Sequence, residues 1–89
     1  MEPLKIVILV QAQCALCESA KAMLMRLSAD YPLAVSTLSL ESEGGQELAA
    51  KHGILFAPGI LINGKAVCYG RPSERRLRRE FDRCFEASE

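Results

Sequence analysis

The sequence predicts an α/β domain of element order β-α-β-α-β-β-α, formed by residues 1–89 as one unit. Three observations carry this. The run Ile6-Val7-Ile8-Leu9-Val10 is apolar without alternation, as in a strand buried on both faces. A helix-periodic stretch of crossover length separates it from the next strand-like segment, which makes a βαβ unit with parallel strands. Asn63-Gly64 lies between two short apolar segments, the strongest short hairpin signal.

The first strand is expected over Lys5 to Gln11, and Gln11-Ala12-Gln13 is the loop after it. From Ala15 to about Ala29, Leu16, Ala20, Met23, Leu24 and Leu27 recur at helical spacing, and Pro32 stops the helix. Leu33 to Leu40 alternates as a second strand, with one break in phase. Ser42 to His52 is a short helix, capped by Ser42 or Glu43 and ended by Gly53 in the left-handed conformation. The Gly44-Gly45 pair weakens its start. Gly59 to Ile62 and Lys65 to Tyr69 are the hairpin strands. Gly70-Arg71-Pro72 turns the chain, and Ser73 caps a last helix whose apolar stripe is Leu77, Phe81, Cys84 and Phe85. The last few residues are expected to fray.

Composition narrows the function. An apolar content of 49% and a charged content of 25% are globular values. The net charge is zero, which gives no pull toward nucleic acid or an anionic membrane. No apolar run approaches the roughly 20 residues of a membrane span. Glu2 and Pro3 stand where a secretory signal would place basic residues. A cytoplasmic location is therefore expected. Thiols there are kept reduced, which favours a catalytic or metal-binding use of cysteine over a structural bridge.

Cys14-Ala15-Leu16-Cys17 carries the chemistry. Two cysteines at this spacing can close a small disulfide ring or give two thiolates to a metal. Their place between strand and helix favours the first. The unpaired N–H groups and positive dipole end of a helix start stabilise an anion. A thiolate there has its pKa lowered from about 8.5 to roughly 3.5–7.5 and is nucleophilic at neutral pH.

Three segments together resemble the thioredoxin-fold superfamily in its small, glutaredoxin-sized form. Cys14-Ala15-Leu16-Cys17-Glu18-Ser19-Ala20 is similar to the start of small bacterial glutaredoxin-like proteins. Lys51 to Lys65, with Pro58 before the third strand and Asn63-Gly64 after it, is similar to the family's cis-proline and hairpin stretch. Gly70-Arg71-Pro72-Ser73-Glu74 resembles the turn into the last helix. The resemblance implies a four-stranded mixed sheet with helices on both faces. It also implies a cis Pro58 against the cysteines, with the Ala57 backbone pairing to a substrate chain. Ala57 stands where relatives often carry threonine or valine. Ala-Leu between the cysteines is neither the Gly-Pro of thioredoxins nor the Pro-Tyr of many glutaredoxins, and no tryptophan precedes the motif. Gly70-Arg71-Pro72 is not the Gly-Gly-Asp turn that helps grip glutathione.

The expected activity is thiol–disulfide exchange in electron transport, with Cys14 as nucleophile and Cys17 as resolving thiol. Glu18, if turned toward the sulfurs, opposes thiolate formation. The expected partners are a disulfide-containing protein or small molecule and, as electron donor, a reductase or glutathione. No cofactor, metal, nucleic acid or membrane is called for, and the chain is expected to be monomeric. Two alternatives stand beside this: a metal or iron–sulfur carrier using the two cysteines, and a non-catalytic interaction module using the Pro58 groove. Cys84 is expected to pack in the core, and Cys68 to lie on an edge strand with its face undetermined. His52 reads as a surface or capping residue at a helix end. The arginines Arg71, Arg75, Arg76, Arg78, Arg79 and Arg83 read as a solvated face with Arg76–Glu80 and Arg78–Asp82 pairs, or else as a docking surface for an acidic partner.

Overall fold

A computed structural model describes residues 2–87. The elements are β1 (Leu4–Val10), α1 (Ala15–Leu27), β2 (Leu33–Ser39), α2 (Glu43–His52), β3 (Gly59–Ile62), β4 (Lys65–Tyr69) and α3 (Glu74–Ala87). The fraying expected of the last residues concerns positions 88 and 89, outside the described residues. The sheet order is β2-β1-β3-β4. β1 is parallel to β2 and antiparallel to β3, and β3 is antiparallel to β4, so the sheet is mixed.

β1 does not alternate because both of its faces are covered. Leu4, Ile6 and Ile8 pack with Ala20, Leu24 and Leu27 of α1 and with Leu77 and Phe81 of α3. Leu9 packs on the other face with Ile54 and Leu61, flanked by Val7 and by Leu48 and Ala49 of α2. Each fully buried side chain of this size contributes roughly 1.5–3 kcal/mol. The phase break in β2 has the same origin. Leu33 packs toward the α1/α3 core, whereas Leu38 and Leu40 pack toward the α2 core.

Local signals set the junctions. Ser42 caps α2, its side chain accepting from the Gly45 N–H, and Gly53 ends it at φ 68°. Ser73 caps α3 by accepting from the Arg76 N–H at 3.2 Å. Asn63 and Gly64 both have positive φ, as a tight hairpin requires. The Asn63 side chain also accepts from the Lys5 N–H at 2.9 Å, which ties the turn to β1.

The glycine pair at the start of α2 is a packing device as well as a weak helix start. A Cβ on Gly45 would run into the Ser39 carbonyl oxygen, whereas one on Gly44 would meet only Leu38 Cδ2 at 3.8 Å. Gly45 is what lets α2 seat against the end of β2.

In place of the expected Arg76–Glu80 and Arg78–Asp82 pairs, α3 makes a different i,i+4 pair, an i,i+3 pair and two longer-range ones. Arg78 bonds Glu74 at 3.2 Å and Asp30 at 3.0 Å, and Arg26 bonds Glu74 at 3.1 Å. Asp82 instead accepts from the Tyr31 hydroxyl at 2.8 Å. Glu80 bonds Arg83 at 3.3 Å, and no Arg76–Glu80 pair occurs among the ion pairs of the described residues. The longer-range partners, Arg26, Asp30 and Tyr31, lie on α1 and in the α1–β2 loop, where helical spacing cannot see them.

Candidate active site

β1 ends at Val10, and the chain turns through Gln13 at φ 53°. A non-glycine residue in this left-handed region costs roughly 1–2 kcal/mol. The turn delivers Cys14 to the N-cap of α1 in an extended conformation, φ −114° and ψ 102°. Cys14 Sγ accepts from the Cys17 N–H at 3.1 Å, and the Cys14 carbonyl accepts from the Glu18 N–H at 3.2 Å. The sulfur thus occupies the place a serine or aspartate oxygen takes in an ordinary cap, where the helix end favours negative charge. Cys14 and Cys17 are joined as a disulfide, with Cα atoms 5.2 Å apart. Cys14 is half-exposed and Cys17 is 1% exposed. The Glu18 carboxylate is largely solvated and lies 3.5 Å from Lys21 Nζ.

The sheet register gathers the remaining parts. Leu9 pairs with Gly59, so the residue before Gly59 lies at the end of the sheet from which the cysteine loop departs. That residue is Pro58, and the Ala57–Pro58 peptide is cis. Ala57 and Pro58 are both buried. The Gly70 N–H donates to the Pro58 carbonyl at 2.8 Å, which fastens the end of β4 to this loop. Gly70 has φ 85°, and a Cβ there would lie 2.9 Å from Phe56 Cε2, so the Phe56 ring rests against the bare glycine. Phe56 also meets Tyr69 edge-on at 5.1 Å between ring centroids. Phe56 and Tyr69 are 54% and 41% exposed, and neighbouring Leu55 is 76% exposed. Sequence reasoning missed this aromatic pair because its members are thirteen residues apart. The Gly-Arg-Pro turn was the signal that could have suggested it.

Cys68 and Cys84 stand apart from this arrangement, both half-buried and packed against the α1/α3 core. Burial pushes the Cys68 thiol up from its usual range. Cys68 and His52 line a cavity of about 280 Å³ beside β4 together with Arg76. Among the described residues, no three His, Cys, Asp or Glu side chains cluster as a metal site. No helix among them is long and apolar enough to cross a membrane.

A cysteine pair linked across the first turn of α1, on a mixed sheet with this strand order, defines a thioredoxin-like domain of the redox type. A family model described as a thioredoxin domain matches residues 4–81, and the chain belongs to that family. Solved structures with this fold include a point mutant of thioredoxin from Halobacterium salinarum NRC-1. It is 17% identical, with a TM-score of 0.69 over 92% of this chain and 74% of that one. Protein Ne2328 from Nitrosomonas europaea is 19% identical, with a TM-score of 0.72 over 91% and 94%. An uncharacterised thioredoxin-like protein from Clostridium perfringens is 17% identical, with a TM-score of 0.74 over 91% and 70%. A search of curated proteins gives no match.

Proposed function

We propose that this protein is a thiol–disulfide oxidoreductase that works as a disulfide reductase in the cytoplasm. The observation that carries the reading is the asymmetry of the pair: Cys14 is half-exposed at a helix N-cap and Cys17 is buried one turn inside. In the reduced protein, the Cys14 thiolate attacks one sulfur of a substrate disulfide. A Cys14–substrate bond forms, and the other substrate sulfur leaves as a thiolate. Cys17, deprotonated, then attacks Cys14 Sγ. The Cys14–Cys17 bond forms, the second substrate sulfur leaves as a thiolate, and two electrons have passed to the substrate. A reductase dithiol, or two molecules of glutathione, returns the electrons. The Ala57 backbone and the Pro58 loop are the proposed edge for the substrate chain, by strand-like pairing.

The test is an equilibrium titration of the Cys14–Cys17 couple against dithiothreitol and glutathione buffers, with turnover of a model protein disulfide measured alongside. A reversible two-electron couple together with catalytic disulfide reduction supports the proposal. A pair that stays oxidised in strong reductant, or a reduced protein that leaves the substrate disulfide intact, overturns it.

A further inference from the structure

We propose that the outer edge of β2 is a self-association surface, through which two copies of this chain pair antiparallel about a two-fold axis at Ser36. β2 lies at one end of the sheet order. Its ladder to β1 begins with the Leu4 N–H on the Pro32 carbonyl and ends with the Leu40 N–H on the Val10 carbonyl. Between these bonds the parallel pattern turns the even-numbered residues of β2 toward β1. The backbone groups of Leu33, Val35 and Thr37 and the N–H of Ser39 therefore face outward. The Ser39 carbonyl is taken by Ser42 in the turn.

Free edges are usually guarded by charge, proline, a bulge or a cover. The opposite edge, β4, follows that rule: it opens with Lys65, and its pairing with β3 is bulged between Ile60 and Leu61. β2 has none of these guards. Its seven residues, Leu-Ala-Val-Ser-Thr-Leu-Ser, carry no charge and no proline, and they pair with β1 without a shift in register. Val35 is 44% exposed, and Met25 beside it on α1 is 76% exposed. Both line a groove of about 370 Å³ between α1 and β2.

Electrostatics and order favour a second copy as the occupant. The chain has no net charge, so copies do not repel at long range. A loose peptide must lose backbone freedom to become a strand, whereas β2 of a second copy is already held straight by its own β1. With the axis at Ser36, Val35 faces Thr37 of the second copy and exchanges two backbone bonds with it, and Thr37 does the same in return. The Ser39 N–H reaches the Leu33 carbonyl of the second copy. Ser36 meets its equivalent in the close, non-hydrogen-bonded position, where a small side chain fits. The groove, lined by Lys21 and Ser28 as well as Leu24, Met25, Leu33 and Val35, then runs on into the second copy.

Sedimentation under reducing conditions tests this, from about 10 μM to about 1 mM, the range of micromolar to millimolar affinity. The weight-average mass should climb toward that of two chains. Ser36→Lys places like charges directly opposite each other and should weaken association at least about tenfold, while Ser36→Ala should associate like the parent. Circular dichroism checks that the lysine variant is folded. Independently, the Ser36→Cys variant under mild oxidation should yield a symmetric disulfide-linked peptide, joined to its own copy through position 36, by mass spectrometry. A parent chain that stays monomeric throughout overturns the proposal, even if it binds an added strand peptide. So does a folded Ser36→Lys variant that associates normally, or the absence of that symmetric link in Ser36→Cys.

Discussion

The Cys17 backbone N–H donates to Cys14 Sγ at 3.1 Å, which makes the outer cysteine the cap of the very helix that buries the inner one. In the proposed mechanism the two sulfurs do different work. Cys14→Ser should abolish disulfide reduction. Cys17→Ser should leave the first exchange intact and accumulate a mixed disulfide at Cys14, visible by mass spectrometry. Trapping through Cys17 in the Cys14 variant would reverse the assignment.

The two glycines of α2 should respond in opposite directions. Gly44→Ala meets ordinary van der Waals space and should stabilise the protein by about 0.5–1 kcal/mol through helix propensity. Gly45→Ala drives a methyl group into the Ser39 carbonyl and should destabilise by about 1–3 kcal/mol despite the same propensity gain. Urea denaturation of both variants checks this, and equal effects would refute the close approach of α2 to β2.

Replacing Cys68 and Cys84 together with serine should preserve redox turnover and lower stability by about 1–3 kcal/mol, since hydroxyls would enter a largely apolar setting. Because burial raises the Cys68 pKa, alkylation of Cys68 in the parent protein should reach half its limiting rate at a higher pH than that of an unfolded control peptide. Turnover lost at unchanged stability would instead place these thiols in the chemistry.

Glu74 is held below the usual carboxylate range, first by the hydrogen bond from Arg26 and then by that from Arg78. A carboxylate with a lowered folded-state pKa stabilises the fold above its unfolded value and loses that contribution as pH falls through the folded one. The thermal midpoint should therefore drop on acidification more in the parent than in Glu74→Gln. The difference should shrink in high salt, because the cluster is partly exposed.

The parts of this molecule that were legible in the sequence are those set by neighbours along the chain. The cap at Ser42, the left-handed stop at Gly53 and the Asn63-Gly64 turn each need only a few residues to act, and each stands where expected. The place of the Cys14–Cys17 pair at the start of α1 followed from the strand and helix patterns in the same way. Distance hid the rest. Besides each other, Arg78 and Glu74 find Asp30 and Arg26, each 48 residues away, Phe56 finds Tyr69 across the cis loop, and Gly45 meets a carbonyl from the preceding strand. Periodicity reports which face of an element is apolar, and it does not report which polar atom waits opposite.

The short span between Cys14 and Cys17 has a consequence for the whole domain. A cross-link stabilises a fold largely by removing freedom from the unfolded chain, and that effect shrinks with the size of the loop closed, from about 3 kcal/mol at about 15 residues. Here the linked residues are three apart, and both already belong to one helix start. The same relation leaves about 1.6 kcal/mol for a loop of about three residues, roughly half the effect of the larger loop. In the proposed cycle, opening the bridge removes a link confined to one helix start, while the pairings of the sheet and its two cores lie outside the loop that the link closes.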